Sequence, residues 1–269
     1  MQTQIAVSSF SDLLKEWRSR RRISQLDLAL EAEISQRHLS FMESGRAKPS
    51  REMVLRLAEG LDMPLRRRNQ MLLAAGFAPG FTERKLDDTA LAPAMLAVEQ
   101  VLKGHEPNPA IAVDRQWNLI AGNRAIGPFL AGVEDAELLK PPVNVLRLSL
   151  HPRGLAPRIR NLGPWRAHLL DRLHRQVETS GDEGLERLLG ELSAYPGQPG
   201  ISKSRPHEGQ DIAVPLQISI DGEVLSFIST ITVFGTPLDI SLSELAIESF
   251  FPADAATRAI LQRMVRTAA

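Results

Sequence analysis

Polar side chains that can read DNA bases share one face of a short predicted helix, residues 35–43. Gln36, Arg37 and Ser40 lie on that face, away from the apolar positions. In the major groove, Arg pairs with guanine and Gln pairs with adenine through two hydrogen bonds each. The pattern therefore predicts a helix that enters the major groove of DNA.

The residues on either side of this helix extend the predicted interface. Gln25 lies before the helix, and Arg46 and Lys48 lie after it, where proteins of this kind usually hold phosphates. Phe41 faces either a thymine methyl group or the next helix, and both interpretations stay open. The predicted DNA-binding residues are Gln25, Ser35, Gln36, Arg37, Ser40, Phe41, Arg46 and Lys48.

These residues belong to a row of five short helices predicted over residues 10–75, where apolar residues recur with the helical period. The second helix is expected to bury Leu26, Ala29 and Leu30. The third begins at the N-cap Ser35, buries Leu39 and Met42, and ends before Gly45, a residue suited to a C-cap. The row predicts an all-α domain.

Helices two and three are joined by only about three residues, Ala32-Glu33-Ile34, which is the connection of a helix-turn-helix. Roughly residues 10–80 resemble the XRE/Cro-type repressor DNA-binding domain. The resemblance rests on this connection, on the runs Ser24 to Ala29 and Ile34 to Arg46, and on Pro49-Ser50. The resemblance implies a dimer that places two such helices on a pseudo-palindromic operator. Glu33 departs from the family, which usually has glycine at this turn, and a side chain at positive φ costs about 1 kcal/mol.

The charge of the chain is divided unevenly between its two parts. The whole chain is neutral, with 32 Lys and Arg against 32 Asp and Glu, which taken alone argues against a nucleic-acid ligand. Residues 1–85 hold 15 of the basic and 10 of the acidic residues, so this segment carries +5 and residues 86–269 carry −5. We therefore expect two domains, 1–85 and 86–269, of which only the first faces DNA.

Composition excludes several other classes of protein. The 269 residues include no cysteine, which rules out disulfides, cysteine-ligated metals and a cysteine nucleophile. No apolar run approaches about 18 residues, and the polar start is unlike a signal peptide. These features favour a soluble, cytoplasmic protein that does not enter a membrane.

Residues 86–269 read as an α+β domain. Two strands are predicted at 109–114 and 117–122, with the turn at Arg115-Gln116. A helical stretch over 123–193 and a loop over 197–209 follow, then strands at 212–220, 224–234 and 244–251 and a helix over about 254–267. The order predicts a five-stranded antiparallel sheet of the PAS-like kind, with Asp221-Gly222 at a hairpin turn.

The same residues are similar to the ligand-binding domain of MmyB-like transcription regulators. The similarity rests on Asp114-Arg115-Gln116-Trp117, on Asn144 to Leu148 with His151-Pro152, and on the run from Gly235 to Asp254. It covers roughly residues 90–265. The resemblance implies a small hydrophobic ligand, with a long-chain fatty acid as the main suggestion, and no other cofactor.

An acyl chain requires an apolar tunnel with one polar or basic group at its mouth. Arg147 or His151 is the predicted partner of a carboxylate, although Arg147 also reads as a surface ion-pair residue. The predicted tunnel residues, each of which is also typical of plain core, are Trp117, Phe129, Leu146, Leu150, Trp165, Leu169, Phe227 and Ile231.

Three alternatives stay open beside this interpretation. A Ser–Lys autoprotease would make the protein an enzyme, but lysine is scarce here and Lys203 lies in a polar loop, so we expect no enzymatic activity. His168, Asp171 and His174 share one helix flank without a fourth metal ligand, so we expect no metal site. In the third alternative, the second domain serves only dimerisation or a protein partner and binds no small ligand.

Overall fold

The computed structural model describes residues 9–196 and 214–267, the side chains as far as residue 264. The predicted loop over 197–209, with Lys203, and the start of the predicted strand at 212–213 lie outside these residues. The chain divides into two compact units. The first comprises Met1–Arg84, Glu178–Gly181 and Pro237–Ser243, and the second comprises Lys85–Val177, Asp182–Thr236 and Glu244–Ala269.

Five short helices form the start of the first unit, as predicted. They are α1 (Phe10–Arg20), α2 (Gln25–Glu31), α3 (Gln36–Glu43), α4 (Arg51–Gly60) and α5 (Leu65–Ala74). A serine precedes each of the first four, and its side chain accepts a hydrogen bond from the backbone N–H three residues later. Such a bond satisfies one of the free N–H groups of a helix start, so the serines fix where these helices begin.

The prediction for the buried face of α2 was partly wrong. Ala29 is buried, together with Leu28, but the side chains of Leu26 and Leu30 are 52% and 68% exposed. Leu26 and Leu30 are four residues apart and share a face, and so do Leu28 and Ala32. A helix of seven residues has too few turns for its sequence to decide which of the two faces meets the core.

The turns around α3 take the predicted backbone conformations. Glu33 lies between α2 and α3 at a φ of 54°, and Gly45 follows α3 at a φ of 73°. The backbone N–H of Ile34 donates to the carbonyl oxygen of Ala29 at 2.9 Å, which closes the turn. Ala29, Leu39 and Met42 are buried between the two helices, so the helix-turn-helix has the predicted core.

The remaining described residues form an α+β unit with the following helices and strands. They are α6 (Ala92–Gly104), β1 (Ala110–Val113), β2 (Leu119–Gly122), α7 (Gly127–Leu130), α8 (Val145–Leu150), α9 (Leu162–Ser180), α10 (Glu183–Ala194), β3 (Leu216–Ile220), β4 (Glu223–Val233), α11 (Ile240–Ser243), β5 (Ala246–Pro252) and α12 (Ala255–Thr267). The end of α9 and the short α11 fall within the first unit by the division above.

The five strands form one curled sheet in the order β2-β1-β5-β4-β3, and every neighbouring pair is antiparallel. This confirms the predicted sheet. The β3–β4 hairpin turns at Asp221 and Gly222, with φ values of 50° and 83°, as a two-residue turn with positive φ at both positions requires. The main apolar core is formed by residues of the sheet and of α8, α9, α10 and α12.

The turn of the β1–β2 hairpin lies at Arg115-Gln116 as predicted, but the second strand starts two residues later than predicted. The loop runs from Asp114 to Asn118, and Trp117 lies in it at a φ of 66° instead of beginning the second strand. The Asp114 carboxylate accepts hydrogen bonds from the backbone N–H groups of Gln116 and Asn118 at 2.8 and 2.9 Å. Because this carboxylate holds the loop closed, β2 starts only at Leu119.

Candidate nucleic-acid interface and ligand-binding cavity

The outer face of α3 presents the predicted base-reading side chains to solvent. Gln36 and Arg37 are exposed and Ser40 is half-buried. Ser35 is the N-cap, and its hydroxyl oxygen accepts a hydrogen bond from the backbone N–H of His38 at 3.2 Å. Arg46 and Lys48 are exposed just beyond the helix, so the structure brings the basic residues and the polar face together.

Phe41 lies between two arginines of this face. The guanidinium carbons of Arg37 and Arg46 are 5.3 and 5.0 Å from the centre of the Phe41 ring. Arginines at this distance from an aromatic face are attracted to it. The ring therefore holds both guanidinium groups on one surface, with Arg46 also donating to the hydroxyl of Ser44 at 2.9 Å.

Gln25 is bonded to the protein instead of extending freely into solvent. Its side-chain amide donates to Glu43 at 2.7 Å, and Glu43 also binds Arg18 through two hydrogen bonds of 2.6 and 3.1 Å. Burial acts to raise the pKa of Glu43, but the hydrogen bonds from Arg18 and Gln25 outweigh it and lower the pKa. This cluster fastens α1, α2 and α3 together, and the sequence pattern did not reveal it.

A cavity of about 100 Å³ lies in the second unit between one face of the sheet and helices α7 to α9. Its walls are almost wholly apolar. They are formed by Pro109, Ile111, Leu119, Ile126, Phe129, Leu130, Val145, Leu146, Leu148, Ser149, Leu155, Trp165, Leu169, Arg172, Leu216, Glu248 and Phe250.

Two charged side chains complete the wall of this cavity. Arg172 on α9 donates to Glu248 on β5 through Nη1 at 3.1 Å and through Nη2 at 3.4 Å. The guanidinium of Arg172 also lies 4.2 Å from the centre of the Trp117 ring. An ion pair within an apolar wall is costly to bury, which makes it the distinctive chemical feature of the cavity.

Comparison with known proteins agrees with both parts of this description. A helix-turn-helix family matches residues 14–67. The family described as "MmyB-like transcription regulator ligand binding domain" matches residues 94–264, which is more than half of the chain. The chain belongs to the MmyB-like transcription regulators. It is thus a helix-turn-helix DNA-binding regulator with a ligand-binding domain, and both matched families are of regulators, not enzymes.

Other comparisons with this MmyB-like regulator add little. No curated protein matches it. A solved structure entitled "Structure of an RNA-binding Light-Oxygen-Voltage Receptor" is similar at 14% sequence identity and a TM-score of 0.29. The match covers 95% of this chain, and the chain spans 61% of that structure. A likeness this weak supports no conclusion about function.

Four of the ten predicted ligand-binding residues line the cavity of the MmyB-like domain. They are Phe129, Leu146, Trp165 and Leu169. Phe227 is buried behind the wall, with its ring 5.8 Å from that of Phe129 and 6.3 Å from that of Phe250.

The other apolar residues predicted as tunnel lining are not part of the cavity wall. Leu150 and Trp117 are buried in the core. Ile231 pairs with Glu248 across the sheet, but its side chain is 43% exposed.

The two predicted carboxylate partners lie in a separate cluster. Arg147 makes two hydrogen bonds of 2.7 Å to Glu191 on α10, which hold the pKa of Glu191 at about 2. Tyr195 donates a hydrogen bond to the same carboxylate at 2.6 Å. Burial, and to a lesser extent this hydrogen bond, raise the pKa of Tyr195 to about 12. The ring of His151 meets that of Tyr195 edge-on at 5.2 Å. Neither Arg147 nor His151 lines the cavity.

The described residues contain no group of three or more His, Cys, Asp or Glu side chains placed to hold a metal ion. His168 instead stacks on Trp165, with 5.6 Å between the ring centres. Among the same residues, no helix is long and apolar enough to cross a membrane.

Proposed function

We propose that a small apolar ligand, with a fatty acid as the first candidate, occupies the cavity and changes the affinity of the protein for a pseudo-palindromic operator. The observation that carries the proposal is the apolar cavity of about 100 Å³ within the ligand-binding domain. The strand order β2-β1-β5-β4-β3, with α7 to α10 between β2 and β3, supports a PAS-like sensor.

The size of the cavity suits a short or medium acyl chain. On the scale where one water molecule requires roughly 10–15 Å³, the cavity holds about seven to ten water-sized groups. A chain of about that many carbon atoms enters without movement of the wall, whereas a longer chain requires the surrounding side chains to shift. The first probes are therefore octanoic and decanoic acids and the corresponding alcohols.

The ligand part of the proposal is tested by native mass spectrometry of the purified protein, followed by titration calorimetry of delipidated protein with these probes. We expect a bound mass of lipid size and measurable binding of at least one probe. Leu169→Phe fills the cavity and should abolish binding, whereas Leu170→Phe on the same helix leaves the wall unchanged and should retain it. Absence of binding across all the probes would favour a domain used for dimerisation or a protein partner.

The DNA part of the proposal assigns base reading to Gln36 and Arg37 and phosphate binding to Lys48, in a homodimer with two α3 helices on successive major grooves. Arg37→Ala should change preference at one operator position. Lys48→Ala should weaken all sequences equally and reduce the salt slope by roughly one. Binding of a randomised operator library measures both, and identical profiles for the two variants would contradict the assigned roles.

A further inference from the structure

The part of the cavity wall that the structure describes has no net charge. Arg172 and Glu248 are the charged residues among the described lining residues, and each is the other's hydrogen-bonded partner at 3.1 and 3.4 Å. The Glu248 side chain is 5% exposed and that of Arg172 is 15% exposed, so bulk water solvates neither group well. The positive charge of Arg172 is therefore already neutralised before any ligand enters.

Within residues 9–196 and 214–264, no further positively charged side chain lines this wall. His168 stacks on the wall residue Trp165, and its pKa is lowered by burial and by the nearby Arg172, which keeps its ring uncharged near neutral pH. Arg147 is bound to Glu191 and does not line the cavity. A ligand carboxylate in the cavity would meet one guanidinium and one carboxylate whose charges cancel.

The described part of the wall offers one unused hydrogen-bond donor, on Ser149. The Nε–H of Arg172 also has no acceptor among the described residues, but it is fully buried and therefore out of reach of a ligand in the cavity. The hydroxyl of Ser149 accepts a hydrogen bond from the Trp165 indole N–H at 3.1 Å, which leaves the hydroxyl proton free for another acceptor. A buried donor without an acceptor is unfavourable, and a ligand oxygen that accepts from it relieves that cost.

We infer that the ligand carries an uncharged hydrogen-bond acceptor at its head, such as an ester or protonated acid carbonyl, and that the neutral Arg172–Glu248 pair rejects an ionised carboxylate. This inference rests on the proposed function, since it concerns the ligand of the same cavity. An ionised carboxylate would lose its hydration and be repelled by Glu248 as strongly as Arg172 attracts it. A neutral carbonyl loses little hydration and accepts from the hydroxyl of Ser149.

The test compares methyl decanoate with decanoate by calorimetry on delipidated full-length protein at pH 7.5. In the wild type the ester should bind at least about tenfold more tightly, because the carboxylate loses its hydration in the cavity without any net electrostatic gain. Glu248→Gln removes the competing carboxylate but keeps the size and hydrogen-bonding capacity of the side chain. Arg172 then has no anionic partner, so this variant should bind decanoate more tightly than the ester.

The double variant Arg172→Gln/Glu248→Gln is the matched control, and it keeps the test decisive if the single variant does not fold. It replaces a neutral ion pair with two neutral amides, so its binding of both compounds should match the wild type within about threefold. Were Arg172 the anchor of a ligand carboxylate, this variant would lose decanoate binding that the wild type shows.

Tighter binding of decanoate than of the ester by the wild type overturns the inference and leaves the proposed function standing. An unchanged preference in a folded Glu248→Gln variant overturns it as well. Failure of the wild type to bind either compound, or the octanoyl and alcohol probes, removes the proposed ligand function itself. Circular dichroism of each variant establishes that it is folded.

Discussion

Removing the Glu43 carboxylate should destabilise the DNA-binding unit more than any loss of an exposed ion pair. Glu43 is only 3% exposed, and it accepts hydrogen bonds from Arg18 and Gln25. Glu43→Ala leaves the guanidinium of Arg18 without its anion. Breaking a buried pair by removing one partner costs about 3–5 kcal/mol. Because the Arg18 side chain is 19% exposed, we expect the lower end of that range.

Two further variants separate the charge from the hydrogen bonds. Glu43→Gln retains an acceptor for Arg18 and should cost about 1–2 kcal/mol, close to the value of a hydrogen bond to a charged group. Glu52→Ala removes an exposed pair with Arg56 on α4, 3.3 Å long, and should cost less than about 0.5 kcal/mol. Hydrogen–deuterium exchange of α1–α3 peptides gives the local free energy of opening, with β3–β4 peptides as internal reference.

The lowered pKa of Glu43 adds a second test of the same reasoning. A carboxyl group whose pKa falls on folding stabilises the folded state above its unfolded pKa of about 4.3, and that contribution is lost as pH falls through the lower, folded value. The wild type should therefore lose more stability than Glu43→Ala between pH 5 and the acid limit of folding. Equal costs for Glu43→Ala and Glu52→Ala, or parallel acid profiles, would refute a buried, stabilising pair.

Three further outcomes are expected in the rest of the chain. Glu191→Gln removes a carboxyl whose pKa Arg147 lowers to about 2, so this variant should lose less stability than the wild type as pH falls from about 4.5 towards 2, as measured by melting temperature. Gly222→Ala places a side chain at a φ of 83° and should cost about 1 kcal/mol in urea unfolding, whereas Gly190→Ala within α10 has open space and should stabilise by about 0.5–1 kcal/mol. Glu33→Gly removes the strain of a side chain at a φ of 54° and should raise the free energy of unfolding in urea by up to about 1 kcal/mol. A decrease in that free energy would argue against strain at this turn.

Local signals made the helical part predictable. Each serine before α1 to α4 caps its helix within three residues, and the positive φ of Gly45 and Glu33 follows from turns of a few residues. The prediction of which face of α2 is buried was wrong because that face is decided by packing against other helices. The Arg18–Glu43 pair was not predicted for a similar reason. The two residues are 25 positions apart, and nothing in the basic run around Arg18 distinguishes this arginine from its neighbours.

The cavity shows the same limit at longer range. Leu146 and Leu150 are both buried apolar residues of one short helix, yet only Leu146 lines the cavity. Which residue of such a pair lines the cavity depends on how the helix packs against segments that are distant in the sequence. Arg172 and Glu248 are 76 positions apart, and no spacing rule connects them. The sequence therefore predicted an apolar cavity, but the polar group expected at its mouth was assigned to Arg147 or His151 instead of to Arg172 and Glu248.

Filling the cavity is not by itself regulation. A ligand with equal affinity for the DNA-binding and non-binding conformations of the protein does not shift the equilibrium between them, however tightly it binds. A tenfold change in operator affinity requires about 1.4 kcal/mol of difference in ligand binding between the two conformations. Because this coupling is reciprocal, operator DNA must change the affinity for the cavity ligand by the same factor. The Arg172–Glu248 pair joins α9 to β5 at the cavity wall, so a ligand head that lies against this pair acts on a contact between two elements of the fold. A ligand that contacts only the apolar wall leaves that contact unchanged, and we therefore expect the head group, more than the chain, to decide whether binding is communicated.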